Sequence, residues 1–151
     1  MRTDVKRRGW TISAEGNDLA DRFLESVFFT GNGRMGARGY PAYRPIRRPL
    51  DAGLFLAGFY DRISDSTELT DFVNLPTPIW YQIRLNGRIP AIPSHLSRAL
   101  DLRTGLLTFR YRLSIADDWV DVQEQRFFSL AKPSFLFQRL EFQGRGQVEL
   151  L

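Results

Sequence analysis

The chain has no cysteine among its 151 residues, which excludes a disulfide framework and any thiolate-held metal site and fits a reducing compartment. Histidine is nearly missing too. His95 stands alone between Pro93 and Arg98 in an expected loop, so a zinc site or a Ser-His-Asp arrangement would have to be assembled around it without any local signature. Lysine occurs only as Lys6 and Lys132, and arginine supplies the rest of the 21 basic residues. Arginine favours planar, bidentate contacts to carboxylate or phosphate over diffuse attraction. The net charge of +4 is small, and its local clusters, Arg7 with Arg8 and Arg44 with Arg47 and Arg48, read as solvated surface. A broad basic stripe with aromatic platforms is absent, which argues against a nucleic-acid partner. No apolar run approaches a bilayer span, and the first residues carry Asp4 and polar groups in place of a signal peptide's apolar core. These absences predict a soluble, cytoplasmic protein with no membrane partner.

The strongest positive signal is Glu25 to Tyr40, where Gly31, Gly33, Gly36 and Gly39 stand among Arg34 and Arg38 directly after an apolar run. Repeated glycine at short spacing marks a tight turn or a close approach of backbone. If the segment is extended, alternation puts Arg34, Gly36, Arg38 and Tyr40 on one cationic, aromatic face and Gly33, Met35, Ala37 and Gly39 on a nearly bare one. Gly31, Gly33 and Gly36 also satisfy the dinucleotide pattern G-x-G-x-x-G, with Asp51 at the distance of a ribose-binding acid. That pattern must open a helix, and Gly39, Pro41 and Pro45 follow too soon for one.

Elsewhere period-2 alternation dominates. Leu107, Phe109, Tyr111, Leu113 and Ile115 interleave with polar residues as a strand with one buried face. Ile79, Tyr81, Ile83 and Leu85 do the same and lead into Asn86-Gly87, a preferred two-residue turn. Thr104-Gly105 and Asp117-Asp118 read as further turns, and strands are expected around Val120, from Arg126 to Leu130, from Phe135 to Phe142 and from Val148 onward. Only Asn17 to Leu24 suggests a helix, a short one capped by Asn17. The chain is therefore expected to be all-β, a sandwich or barrel. Gln147 to Leu151 begins a new strand at the end of the sequence. Either a partner chain covers it, or the sequence is the front portion of a longer protein.

Chemistry is hard to find. A glycosidase needs two carboxyl groups across the scissile bond, and Glu25, Glu68, Glu124, Asp61, Asp65 and Asp71 are each expected to be solvated or turn-capping. No catalytic residue and no metal site are expected; the acidic stretch Asp61 to Glu68 lacks the spacing of a calcium loop. Trp10, Trp80 and Trp119 are candidates for stacking on sugar rings, and Trp80 is singled out because alternation turns it away from the apolar face of Tyr81 and Ile83.

Together with blocks of residues downstream of it, the glycine segment resembles the N-terminal region of glycoside hydrolase family 65, the family of maltose, trehalose, kojibiose and nigerose phosphorylases and related hydrolases. The blocks are Glu25-Ser26 leading to Gly31-Asn32-Gly33 and Gly36-Ala37-Arg38-Gly39; Gly53 through Asp61; Glu68-Leu69 with Val73-Asn74-Leu75-Pro76; Leu100 through Leu107; and Arg126-Phe127-Phe128-Ser129. The resemblance implies an antiparallel β-supersandwich of the galactose-mutarotase type, with residues 1–151 forming its incomplete front portion. It also implies a helical barrel, absent from this chain, that carries the general-acid glutamate and the phosphate site, so the chain alone is expected to be inactive. The implied partners are that barrel, a disaccharide and a second copy in a homodimer. No cofactor is implied beyond inorganic phosphate as co-substrate of a phosphorylase. Asn32, Arg34, Arg38, Tyr40 and Trp80 are the residues expected to face substrate or the neighbouring domain. Departures occur at Arg34-Met35 and at Tyr40-Pro41-Ala42-Tyr43, and they leave the substrate open. Two rival readings are a free-standing carbohydrate-binding module and an arginine-rich anion- or nucleic-acid-binding domain.

Overall fold

The computed structural model describes residues 4–16, 22–43, 53–62, 70–91, 93 and 95–151. In chain order the elements are β1 (Val5–Arg8), β2 (Thr11–Gly16), α1 (Arg22–Val27), β3 (Thr30–Gly31), β4 (Met35–Ala37), β5 (Leu54–Leu56), β6 (Tyr60–Arg62) and β7 (Thr70–Phe72). They continue with β8 (Ile83–Leu85), β9 (Leu96–Asp101), β10 (Leu106–Ile115), β11 (Asp118–Phe128), β12 (Leu136–Arg145) and β13 (Val148–Leu150). All pairings are antiparallel, as the dominant period-2 pattern requires.

One six-stranded sheet, in the order β1-β2-β9-β10-β11-β12, forms the main layer. Its inward face carries Leu96 and Leu100 from β9, Leu107, Phe109, Tyr111 and Leu113 from β10, and Val120 and Val122 from β11. Leu24 from α1, Phe28, Tyr43 and Ile83 of β8 pack across from it. The outward face carries a bidentate pair between Arg112 and Asp121 at 2.6 and 2.7 Å and the stacked, exposed rings of Phe127 and Phe137. A three-stranded sheet, β3-β4-β5, and the hairpin β6-β7 lie apart from the main sheet, while β13 pairs with β8.

Several local expectations shift. Among the described residues helix α1 covers Arg22–Val27 and so runs past the expected end at Leu24, because Leu24 and Phe28, one turn apart, both bury; residues 17–21, and with them Asn17, lie outside the described residues. The β10–β11 turn centres on Ala116 and Asp117, one residue earlier than Asp117-Asp118, with Ala116 at φ 51°. Asn86 and Gly87, at φ 52° and 71°, form the expected tight turn. No helix among the described residues is long and apolar enough to cross a membrane.

Candidate functional site

The glycine-rich segment folds as a small hairpin, β3 to β4, whose tip is organised by Asn32. The Asn32 Oδ1 accepts the N–H groups of Arg34 and Met35, both at 3.0 Å, which closes an Asx turn. Gly33 follows at φ 85°, a conformation that favours glycine. The Asn32 amide donates to the carbonyls of Ser129 at 2.8 Å and Pro133 at 3.0 Å, so one side chain both shapes the tip and ties it to the connection between β11 and β12. Asn32 thus faces its own domain.

The space beside Gly36, on the expected cationic face, and beside Gly39, on the expected bare one, is filled from within the chain. A Cβ on Gly36 would stand 2.6 Å from the Phe29 ring, and one on Gly39 would stand 2.3 Å from the Cβ of Phe28 and 2.5 Å from its carbonyl oxygen. Phe29 and Phe28 thus take up the close approach that these glycines allow. Tyr40 is also corrected. It is 1% exposed, donates to the Thr77 hydroxyl at 2.9 Å, and belongs to the interior, where Ala37, Ile79 and Phe128 surround it. Burial raises its phenol pKa above the ordinary tyrosine value. Arg38 is half-buried with its aliphatic stem over Gly53, and its backbone does the binding. The N–H donates to Gly53 at 2.9 Å, and the carbonyl accepts from Tyr40 and from Arg126.

Arg34 is exposed at the rim of an open groove of about 170 Å³. Gly31, Gly33 and Gly36 form the floor and Phe29, Met35, Phe55 and Phe72 the walls. The aromatic rings form a continuous series, Phe29 to Phe55 at 6.3 Å, Phe55 to Phe72 at 6.0 Å and Phe72 to Tyr60 at 4.9 Å between centroids. Phe72 is 53% exposed. Such a contiguous aromatic patch is a binding surface more often than a packing remainder.

Behind the hairpin lies a buried charged centre whose carboxylates, Glu25 and Glu124, the sequence alone suggests are solvated. Glu124 and Arg126 are both 0% exposed, and Glu25 is buried as well. The Glu124 carboxylate accepts the Ala42 N–H at 2.8 Å, the Gln138 amide at 3.2 Å and Arg126 at 3.5 Å. Arg126 donates to the Arg38 carbonyl at 2.9 Å and lies between the Tyr40 and Phe109 rings, about 5 Å from each centroid. Burial pushes the Glu124 carboxyl above its ordinary range, opposed by Arg126 and by the Ala42 N–H. The Arg126 guanidinium is pulled down by burial and held up by Glu124. The missed signal is parity. On β11 the inward positions run Val120, Val122, Glu124, Arg126, Phe128, so an i, i+2 carboxylate and guanidinium share the core face. Sealed from solvent, this pair holds the loop from Arg38 to Ala42 against the sheet.

Trp80 is 39% exposed, in the irregular stretch ahead of β8, and is not among the residues that line the groove. Trp10 is exposed, and Trp119 lies under the Arg112 guanidinium at 4.1 Å, so the three tryptophans form no common platform. His95, Asp61 and Asp71 are exposed, and Asp71 accepts the neighbouring Phe72 N–H at 2.8 Å. Glu68, Asp65, Asp51 and the cluster Arg44, Arg47 and Arg48 lie outside the described residues. Among the described residues no group of three or more His, Cys, Asp or Glu could hold a metal ion.

Residues 14–150 match the family model described as glycosyl hydrolase family 65, N-terminal domain. Trehalose 6-phosphate phosphorylase of Lactococcus lactis subsp. lactis is 26% identical over 123 residues, which are 74% of this chain and 16% of that protein. A solved structure described as a kojibiose phosphorylase from human microbiome superposes with a TM-score of 0.79 at 16% identity, over 97% of this chain and 21% of that one. The chain therefore spans well under half the length of either protein, and the structural likeness establishes the fold, an antiparallel β-sandwich of that type.

Proposed function

We propose, because the chain belongs to the N-terminal domain of glycosyl hydrolase family 65, that it is the non-catalytic β-sandwich of a carbohydrate-active enzyme cleaving α-linked glucosyl disaccharides by phosphorolysis or hydrolysis. In this reading a helical barrel of the same enzyme binds the disaccharide and supplies the general acid, with inorganic phosphate as co-substrate where the enzyme is a phosphorylase. The exposed side of the hairpin, with Arg34 and the half-buried Arg38, faces that barrel and supports it at its entrance, while Asn32 fixes the hairpin's tip from within.

The observation that carries this reading is the groove beside the hairpin. Its volume of about 170 Å³ falls below the roughly 300–1,000 Å³ of small-molecule sites. Its walls are apolar side chains, whereas a sugar ring brings hydroxyls that cost free energy to bury without partners. An apolar side chain from an adjoining protein surface fits better, with Arg34 at the rim to meet a carboxylate.

Two measurements on the purified chain test the reading. Incubation with maltose, trehalose or kojibiose and inorganic phosphate is expected to release no sugar phosphate and no free glucose; turnover would overturn the non-catalytic role. Titration with the same sugars is expected to leave tryptophan emission unchanged at millimolar concentration. A saturable shift, removed by Trp80→Ala, would instead favour a free-standing carbohydrate-binding module.

A further inference from the structure

The tripeptide Asn-Gly-Arg occurs twice, at 32–34 and at 86–88, and each copy turns a hairpin with its glycine at positive φ, 85° for Gly33 and 71° for Gly87. Asparagine before glycine is the pair most open to attack on its own side chain, because glycine has no Cβ to hinder its backbone nitrogen and lets the chain reach a ring-closing geometry. The two copies start with matched local chemistry, so any difference between them comes from the fold. The half-buried Asn32 side chain makes four hydrogen bonds, accepting from the Arg34 and Met35 N–H groups and donating to the Ser129 and Pro133 carbonyls. Asn86 is exposed and its side chain makes two: Nδ2 donates to the Asp118 carboxylate at 2.6 Å, and Oδ1 accepts the Gln147 N–H at 2.8 Å. Ring closure requires the carboxamide to leave its partners and swing over the next peptide nitrogen, which costs Asn32 twice as many hydrogen bonds. The Leu85–Arg88 turn around Asn86 also ends a β8–β13 ladder of only three residue pairs, a short element that opens locally more readily than a long one.

We propose that Asn86 is a site of spontaneous deamidation whose product severs the contact with Asp118 and loosens β8 from β13, whereas Asn32 is kept intact by its hairpin. The Gly87 nitrogen gives its proton to solvent and bonds to Asn86 Cγ; the Cγ–Nδ2 bond breaks, and the amide nitrogen takes a proton from solvent and leaves as ammonia. Water then opens the cyclic imide. Attack at Cγ leaves aspartate at position 86, and attack at the main-chain carbonyl leaves isoaspartate, with an extra methylene in the backbone of the two-residue turn. Either product replaces the amide that donated to Asp118 by a carboxylate, and two carboxylates at hydrogen-bond distance repel. Asn86 also donates its backbone N–H to the Gln147 carbonyl at 2.9 Å, so the disturbed residue is the one that fastens the start of β13 to the end of β8. This inference rests on the two turns and not on the enzymatic reading.

Incubation of the purified chain at mildly alkaline pH, folded and in urea, followed by tryptic mass mapping, reads both sites. Cleavage after Arg22, Arg34, Arg84 and Arg88 places Asn32 and Asn86 in separate peptides. In urea the two should convert at similar rates. Relative to urea, folding should slow Asn32 about tenfold more than Asn86, the difference that two further hydrogen bonds make. Equal slowing of both sites, greater slowing of Asn86, or a folded chain in which Asn86 does not convert overturns the proposal. Asn86→Asp tests the consequence without the chemistry. Amide exchange in β8 and β13 should speed up in this variant, and Asn86→Asp combined with Asp118→Asn should restore protection, since donor and acceptor trade places. Protection unchanged in the single variant, or not regained in the double, overturns the link to Asp118 and the proposal with it.

Discussion

Glu124 and Arg126 occupy positions that the pattern of β11 reserves for apolar side chains, opposite Phe109 and Leu107 of β10. Removing one member of a buried pair strands the other charge, so Glu124→Leu or Arg126→Met alone should cost about 3–5 kcal/mol in urea unfolding. The double variant should lose clearly less than the sum, because no uncompensated charge remains; the Ala42 N–H and Arg38 carbonyl still lose partners, which prevents full recovery. The pH dependence has a definite sign. A carboxyl whose folded pKa lies above its unfolded value favours the fold most fully below the ordinary glutamate range, and that contribution is lost as pH rises through the raised value. Glu124→Gln should therefore flatten the fall in stability between mildly acidic and neutral pH, measured by urea midpoints across that window. The inward positions of both residues are legible through strand parity. Their burial is not, since general exposure statistics for charged residues point the other way.

At the scale of elements, the hairpin separates two kinds of glycine. The obstacle at Gly36 is the end of the Phe29 ring, which is partly exposed and can swing, whereas at Gly39 it is the Cβ and carbonyl of Phe28, which cannot. Gly36→Ala should cost about 1 kcal/mol and Gly39→Ala about 3 kcal/mol, the two ends of the usual overpacking range, in thermal or urea unfolding. The long strands β10, β11 and β12 are readable because their alternation persists over ten or eleven residues. Elements such as β3, of two residues, and β4 to β7, of three each, carry no periodicity to read. The glycine hairpin is visible as a turn, but not the identity of what fills it, because Phe28 and Phe29 precede it immediately and read only as an apolar run. Tyr40 departs from its expected face for a related reason. Alternation carried past Ala37 assumes a strand that ends there.

Across the whole molecule, stability is unevenly distributed. β10 and β11 share a register from Leu107 to Ile115 and contribute most of the main core, whereas β6 and β7 form a three-residue pairing roofed by the exposed rings of Tyr60 and Phe72. Native-state amide exchange should be slowest in β10 and β11, near the global unfolding limit, and fastest in β6 and β7. Equal protection in the two regions would contradict this ranking. The all-β, antiparallel sandwich is legible from alternation and turn spacing, but the partner of β8 is not, since Val148 to Leu150 lies more than sixty residues away and the three-residue ladder leaves no local trace. That pairing is locked by reciprocal hydrogen bonds between Gln82 and Leu151 at 2.9 and 3.0 Å. During synthesis, then, β8 leaves the ribosome more than sixty residues before its mate, which emerges only just after β12 completes the main sheet. Ile83 must wait beside a nearly finished core, and the nascent chain passes through a state in which the opposite wall of the sandwich is held only by α1 and the loop at Tyr43.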